Sequence, residues 1–526
     1  MEIELTGRSI IGFGRGETTA DTFHAFDPTT GCGVEPLFYS ASLKELNRAA
    51  ELADQARIPY GSISGRERAA FLRRIADNIE ALGQSLIERA SRETSLPNAR
   101  FVGERARTCG QLRMFADLLD DGSWVDARID HAISDREPLP KPDVRSMLRP
   151  VGPVAVFCAS NFPLAYSVAG GDTASALAAG CPVIVNGHVA HPGTAELVGI
   201  AVANAALTCN MPEGVFSLLF SSGYEIGQAL VKHPAIKAVG FTGSRRGGRD
   251  LMDIAAARTE PIPVFAEMSS VNPTFILPSA IAERGDAIAS GLYAAVTSGV
   301  GQFCTKPGLV FLLNGEPTNG FVSKFNDLIA ETAASPLLTA GISKSYQGAS
   351  QKRQGVVERY TTADADDHSG FAVGPSSFET SAVEFLNAPD LNEEIFGPTT
   401  LLIRSDDHAQ LMQIARCLEG QLTASIHGAE EDLIKYADLI QILETKVGRL
   451  IFNGFSTGVE VCPSMVHGGP YPATSDGRST AVGTRAITRF ARLVCYQNFP
   501  PAALPDELRD GNPLGICQMV DGKMTS

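Results

Sequence analysis

The run Val151-Gly152-Pro153-Val154-Ala155-Val156-Phe157-Cys158, then Leu164–Ala179, then Pro182-Val183-Ile184-Val185, decides the fold. The outer two stretches are short, apolar and rich in branched residues, while the middle one is rich in alanine and closed by Gly180. Branching at Cβ suits a pleated strand, alanine is the best helix former, and a glycine ends a helix. The pattern then repeats: Thr194–Leu207 reads as helix, Val215–Phe220 as strand, Tyr224–Lys232 as helix and Ala238–Phe241 as strand. Arg245–Ala257 (helix) and Pro263–Ala266 (strand) complete it. Apolar strands alternating with helices predict an α/β, doubly wound parallel sheet covered on both faces, with ligands at the strand C-termini.

Upstream, residues 1–40 read as irregular or β-rich. From Ser42 the pattern is helical: Leu72, Ile75, Ile79, Leu82 and Leu86 form one stripe, and Ser64 with Glu67 suits a capping box. A further helix is predicted over Ala99–Leu119, with Arg107 and Gln111 one turn apart, and residues 121–150 read as a polar, extended arm or linker. Downstream of Met268 a second α/β unit follows, with strands at Thr274–Leu277, Gly308–Leu313 and Leu450–Asn453 and helices at Phe321–Ala333 and His408–Cys417. The 526-residue length exceeds one ordinary core, so several domains are expected.

The formal net charge of −15 argues against nucleic acid or an anionic membrane as partner. The 10 cysteines are scattered, with no Cys-x-x-Cys pair, which suits a reducing compartment and gives no zinc framework. His188 and His191 have the spacing of a metal pair but lack a third ligand nearby, so no metal is expected. Two uncharged runs, Val151–Gly171 and Thr173–Ala195, are broken by prolines, asparagines and histidines, and the N-terminus lacks a secretion-signal layout. The expected location is the cytoplasm.

Within this frame Gly301-Gln302-Phe303-Cys304 sits in an apolar neighbourhood. A shielded thiol whose pKa a cofactor or helix end lowers is a nucleophile for carbonyl carbon, although most free cysteines are simply buried small hydrophobes. Glu267 follows the Pro263–Ala266 strand, where partial burial would raise its pKa and suit it to general-base work; a capping or salt-bridged carboxylate is the plainer alternative. Asn161 can aim its amide into the same crevice to hold an oxyanion, or merely make a turn. Phe241-Thr242-Gly243-Ser244-Arg245-Arg246-Gly247-Gly248 joins a strand to a helix, where glycines and free N–H groups suit a phosphate. By itself it could equally be an ordinary glycine turn.

Together, Ser160-Asn161-Phe162-Pro163, Phe241-Thr242-Gly243-Ser244, Glu267, Gly301-Gln302-Phe303-Cys304 and Glu394-Ile395-Phe396-Gly397-Pro398 resemble the aldehyde dehydrogenase superfamily in order and spacing, over about residues 20–500. The resemblance implies a Rossmann-type cofactor domain (1–126 and 151–267), a catalytic domain (268–455) and a β oligomerisation arm and tail (127–150 and 480–506). It implies Cys304 as nucleophile, Glu267 as base, and Asn161 with the Cys304 N–H as oxyanion hole. NAD or NADP would be held by Asn186, Gly243, Ser244, Gly248, Glu394 and Phe396. The reaction implied is oxidation of an aldehyde to a carboxylic acid through a cysteine thiohemiacetal and thioester, in a homodimer or homotetramer.

A narrower likeness is to α-ketoglutaric semialdehyde (2,5-dioxopentanoate) dehydrogenases. It rests on Gly187-His188 with His191-Pro192-Gly193-Thr194, on Glu267-Met268-Ser269-Ser270-Val271-Asn272-Pro273, and on His467-Gly468-Gly469-Pro470-Tyr471-Pro472-Ala473-Thr474-Ser475-Asp476. Arg107, Gln111 and Phe162 are then the candidates to contact substrate, with a helix-surface ion pair the alternative for Arg107. NADP-linked dehydrogenases of medium or long-chain aldehydes share parts of the pattern, and a cofactor-independent thiol esterase or a silent binding homologue would use the same residues differently. Asn186 stands where the family usually has a lysine, and Tyr224 where a basic residue is expected. Their neutrality weakens the case for a 2′-phosphate unless Arg245 and Arg246 compensate.

Overall fold

The computed structural model describes residues 4–357, 359–363 and 370–525. Two seven-stranded sheets dominate it. The first has the order Val264–Glu267, Ala238–Thr242, Val154–Phe157, Val183–Asn186, Phe216–Leu219, Ile10–Ile11, Gly14–Arg15. Its first five members run parallel, and the Ile10–Ile11 strand closes it antiparallel to Phe216–Leu219. The chain steps from Val154–Phe157 through Val183–Asn186 to Phe216–Leu219, then returns to the other side at Ala238–Thr242. That reversal opens a crevice at the strand C-termini, just where Asn161 and Gly243 follow their strands.

The second sheet has the order Arg359–Thr362, Ser376–Ser381, Thr399–Ser405, Leu309–Leu313, Thr274–Ile276, Gln421–His427, Val447–Phe452. All neighbours are parallel except the first pair. Residues 127–150, read as an arm or linker, form two strands, Ala127–Asp130 and Val144–Pro150. They sit in a five-stranded sheet between Ala491–Gln497 on one side and Gln518–Val520 with Lys523–Thr525 on the other. Those last two strands lie beyond the tail the sequence marked out, because short, mixed segments carry no periodicity of their own.

One helix begins later than expected. The predicted Leu164–Ala179 helix is only Gly171–Ala179. The buried Glu104 carboxylate, from the Asn98–Asp121 helix, accepts the Leu164 and Ala165 N–H groups at 2.9 and 3.0 Å. Those donors are thereby fixed in a turn that crosses above the strand ends. The Ser64–Glu67 capping box forms, Glu67 N donating to Ser64 Oγ at 3.2 Å and Ser64 N to Glu67 Oε2 at 3.1 Å. Among the described residues no helix is long and apolar enough to cross a membrane.

A second buried carboxylate explains the His191-Pro192-Gly193-Thr194 motif. Glu93 accepts from Gly193 N, Thr194 N and Thr194 Oγ1 at 2.7–2.8 Å, and Arg89 pairs with it at 2.8 Å. The donors are the first turn of the Pro192–Thr208 helix, so Glu93 satisfies its open end. A Cβ on Gly193 would lie 2.1 Å from Arg89 Nε, so a side chain there would displace the arginine that pairs with Glu93. Glu93→Ala strands those donors and the arginine, so chemical denaturation should show a loss of about 3 kcal/mol; a change under about 1 kcal/mol would mean water replaces the carboxylate.

Candidate active site

The site is assembled from both sheets by a late segment of chain. Val264–Glu267 is the buried edge strand of the first sheet, and residues 473–475 pair along it. Met268 N donates to Ala473 O at 2.7 Å, Ser475 N to Ala266 O at 3.0 Å, and Glu267 and Thr474 form an antiparallel bridge. Just before this segment the chain turns tightly against the edge strand of the second sheet, where a Cβ on Gly448 would lie 2.3 Å from Gly468 O. His467 N donates to Thr480 Oγ1 at 2.9 Å. The result is an imidazole 1% exposed, with Nε2 3.0 Å from Glu267 Oε1 and 3.7 Å from Cys304 Sγ.

Cys304 follows three consecutive residues with left-handed backbone, Gly299, Val300 and Gly301, at φ 55°, 56° and 66°. Positive φ at a β-branched residue such as Val300 costs on the order of 1–3 kcal/mol and persists only where the surroundings enforce it. They do so here. A Cβ on Gly301 would lie 2.3 Å from Gly397 O, so the loop presses directly on the Glu394–Pro398 motif. Gln302 donates to Gly299 O at 3.1 Å and accepts from Leu338 N at 2.9 Å. Asn272 donates through Nδ2 to Cys304 O at 2.8 Å and Lys306 O at 3.0 Å. Its carbonyl oxygen accepts from Ser270 and Thr423, so a side chain of the Glu267–Pro273 motif holds the backbone under the thiol. Asn161 Nδ2 donates to Gln302 O at 2.8 Å, which leaves its second N–H unengaged beside the loop. Among the described residues the Cys304 N–H has no acceptor.

Two electrostatic expectations are corrected. Burial pushes the Glu267 carboxyl up, but the His467 charge and hydrogen bond, with a contribution from the Cys304 thiol, outweigh it, and the net displacement is below the usual carboxylate range. Glu267 is therefore ionised at neutral pH rather than poised near it. The Cys304 thiol moves well above its ordinary value, through burial first and the Glu267 charge second. The resting arrangement is a protonated thiol hydrogen-bonded to a carboxylate, with the imidazole against both.

The packing beside the thiol is aromatic, the Tyr166 ring lying 6.1 Å from that of His467. The Phe162 ring packs edge-on against Tyr166 and Phe303, with centroids 5.3 and 5.4 Å apart. The Arg100 guanidinium lies 4.5 Å from the Phe162 centroid and 4.9 Å from that of Phe303. Arg107 is half-buried, donates to Tyr166 Oη at 3.1 Å, and leaves Nε without a partner. Among the described residues it forms no ion pair, so the helix-surface alternative falls away. Gln111 is buried with its Nε2 also unpartnered, against Gly171. Arg449, which the sequence reading did not single out, donates to Ser456 O at 2.8 Å, and Ser456 Oγ donates to Thr305 O at 2.6 Å.

On the other side of the Cys304 loop, Arg245, Ser269, Ser270, Glu394, Gln421 and Tyr471 line part of a cleft of about 810 Å³, the size of a cofactor pocket. Ser244 caps the Arg245–Ala256 helix, accepting from Gly247 N at 3.1 Å, and Gly243 follows the strand into that turn. A Cβ on Gly248 would lie 2.7 Å from Met268 Sδ, so this glycine serves helix–strand packing and does not open to the cleft. Burial raises the Glu394 pKa, opposed by Lys306 and by hydrogen bonds from Ser269 and Ser270; such a carboxylate has room to accept from sugar hydroxyls. Phe396 is half-buried, next to the Gly397 that abuts Gly301. Asn186 ends its strand and accepts from Ser221 Oγ at 3.2 Å. Of the residues that the resemblance assigns to the nucleotide, Glu394 lines this cleft, whose volume fits a dinucleotide.

The profile of the aldehyde dehydrogenase family matches residues 16–470. This chain belongs to the aldehyde dehydrogenase family. Alpha-ketoglutaric semialdehyde dehydrogenase 2 of Azospirillum brasilense is 50% identical over 527 residues, spanning 99% of this chain and all of that one. The alpha-ketoglutaric semialdehyde dehydrogenase of Acinetobacter baylyi is 45% identical over 526 residues and 99% of each chain. Among solved structures, Thermus 1-pyrroline-5-carboxylate dehydrogenase with bound NAD has a TM-score of 0.79 at 19% identity, covering 93% of this chain and 92% of its own. Gamma-glutamyl-gamma-aminobutyraldehyde dehydrogenase from Burkholderia cenocepacia also reaches 0.79, at 22% identity, covering 94% and 97%. The aldehyde dehydrogenase fold is thus the α/β architecture expected from the strand–helix alternation.

His467 is the site residue that sequence reasoning missed in this aldehyde dehydrogenase. It opens the His467–Asp476 motif, but nothing local marks one histidine among 9 as the partner of a cysteine 163 positions away. The electrostatics carry a signed prediction. Removing the Glu267 charge lowers the Cys304 pKa, so Glu267→Gln should accelerate alkylation by iodoacetamide at pH 7 while aldehyde turnover falls. While the thiol is mostly protonated, lowering its pKa by about one raises the thiolate population roughly tenfold. Slower alkylation would mean that Glu267 instead helps remove the thiol proton.

Proposed function

We propose that this aldehyde dehydrogenase oxidises 2,5-dioxopentanoate to 2-oxoglutarate. The observation that carries the reading is the cluster of Cys304, His467 and Glu267 close enough to Arg107 to feel its charge, a guanidinium with no ion pair among the described residues. Full-length relatives named for this substrate support it. In the proposed mechanism Cys304 adds to the aldehyde carbon as its thiolate, the thiol proton passing to solvent, while His467 Nε2–H donates to Glu267 Oε1 and positions that carboxylate. Asn161 Nδ2 and the Cys304 N–H hold the oxyanion of the thiohemiacetal. A nicotinamide dinucleotide held by Gly243, Ser244, Glu394 and Phe396 would accept hydride at this site. Glu267 then takes a proton from the water that cleaves the thioester and returns it to the departing Cys304 sulfur as the acid leaves.

Arg107 anchors the substrate carboxylate in this reading, with Gln111 adding a donor and Phe162 shaping the passage. Asn186 and Tyr224 offer no cation to a 2′-phosphate, and Arg245 is already paired with Glu419 at 2.9 Å, which favours NAD over NADP. The free edges at Ala491–Gln497, with Leu493 66% exposed, and at Val447–Phe452 suit pairing between copies in a homo-oligomer. Ten unpaired cysteines suit a cytoplasmic location.

Absorbance at 340 nm tests the reading. Turnover of 2,5-dioxopentanoate should disappear in Cys304→Ala, whereas ester hydrolysis without nucleotide at a matching rate would favour a thiol hydrolase. Arg107→Met should lower kcat/KM for 2,5-dioxopentanoate by on the order of a hundredfold yet leave pentanal within about threefold; equal losses would remove Arg107 from carboxylate recognition. In the nucleotide comparison, kcat/KM should be higher with NAD, and Asn186→Lys should raise the NADP value. A wild-type preference for NADP would overturn the cofactor reading.

A further inference from the structure

Cys304, His467 and Glu267 offer more than acid–base chemistry. Their ligand atoms, one sulfur, one imidazole nitrogen and one carboxylate oxygen, all lie within 4.8 Å of one another. Two edges of this triangle measure 3.7 Å, from Sγ to Nε2, and 3.0 Å, from Nε2 to Oε1. A tetrahedral ion with bonds of about 2.0–2.3 Å sets ligand–ligand edges of about 3.4–3.6 Å, so small side-chain rotations would bring these atoms around one centre. The Glu267 Oε2 atom supplies a second observation: it is buried, on a residue 4% exposed, and has no hydrogen-bond partner. An orphaned carboxylate oxygen in such a site is a ligand position waiting to be filled.

We propose that the Cys304–His467–Glu267 cluster binds a thiophilic divalent cation, Zn²⁺ being the ion its donors fit, and that this ion reversibly blocks the enzyme. The mixed sulfur, nitrogen and oxygen set selects against Mg²⁺ and Ca²⁺, which prefer oxygen cages. Three protein ligands leave a fourth position for water. On binding, the thiol proton passes to solvent and the sulfur lone pair needed for attack on the aldehyde goes to the metal. The proton on His467 Nε2 also leaves to solvent, so the nucleophile and the hydrogen bond that positions Glu267 are withdrawn together. The ion is an inhibitor that competes with aldehyde, not a cofactor of the oxidation.

The test uses the purified full-length enzyme, freed of thiols and chelators and titrated with Co²⁺ as a spectroscopic probe. We expect a thiolate-to-cobalt charge-transfer band that saturates at one equivalent and is erased by Zn²⁺. Dehydrogenase activity should fall over the same Zn²⁺ range and return with EDTA. Cys304→Ser should abolish the band, and His467→Gln and Glu267→Gln should each weaken Co²⁺ binding by about tenfold or more, the least that losing a metal-site contact costs. A missing band in the parent enzyme overturns the proposal. So does a band that persists in Cys304→Ser, which would belong to another cysteine, or one unchanged in both His467→Gln and Glu267→Gln, which would need only the thiolate. If His467→Gln fails to fold, as judged by its thermal melt, Glu267→Gln decides. The readout is metal binding rather than turnover, so its failure is separable from failure of the substrate assignment.

Discussion

Backbone hydrogen bonds between residues 473–475 and the edge of the first sheet hold the active site together. The Met268–Ala473 and Ser475–Ala266 bonds, at 2.7 and 3.0 Å, fix the segment that follows His467 against the Glu267 strand. An open sheet edge is a row of unmet donors and acceptors, and covering it with a late segment satisfies them. The same segment is pinned on its other side by the Gly448–Gly468 contact at the edge of the second sheet. The two sheets are thereby bridged at the level of the thiol, and His467 is carried against both Cys304 and Glu267.

The consequence is a buried polar cluster that must be satisfied from within. Glu267 and His467 neutralise each other's desolvation by sharing a hydrogen bond, while the thiol remains protonated because it faces a carboxylate. Reactivity then depends on forming the thiolate on demand rather than on a standing one. Such a resting state protects the sulfur from adventitious oxidation, since the thiolate is the susceptible form. Asn272, Gln302 and the Gly301–Gly397 contact hold the strained loop around Val300 in place, so the geometry is imposed by packing and not by the local preference of the chain.

Much of this was legible in the sequence for identifiable reasons. Strand–helix alternation over 151–267 is a periodicity, and periodicity survives without tertiary context, so the parallel sheet and the positions of Asn161, Gly243 and Glu267 at its strand ends could be read directly. The element bounds drifted where side chains overrode propensity, as where Glu104 captured the Leu164 and Ala165 donors and delayed the helix to Gly171. The strands at 518–520 and 523–525 were invisible because pairing, not composition, defines them.

What the sequence determined by itself was therefore the order of the layers and the residue types at the strand ends, both local properties of the chain. Only the tertiary structure decided that His467 stands against both Cys304 and Glu267, that Glu267 is held ionised rather than raised, and that Gly248 packs on Met268 instead of facing the cleft. The first two depend on contacts across 163 and 200 positions of chain, and the third on how a helix packs against the residue after its neighbouring strand. Electrostatic energy falls with distance and rises as water is excluded, and neither quantity exists until the sheets have packed.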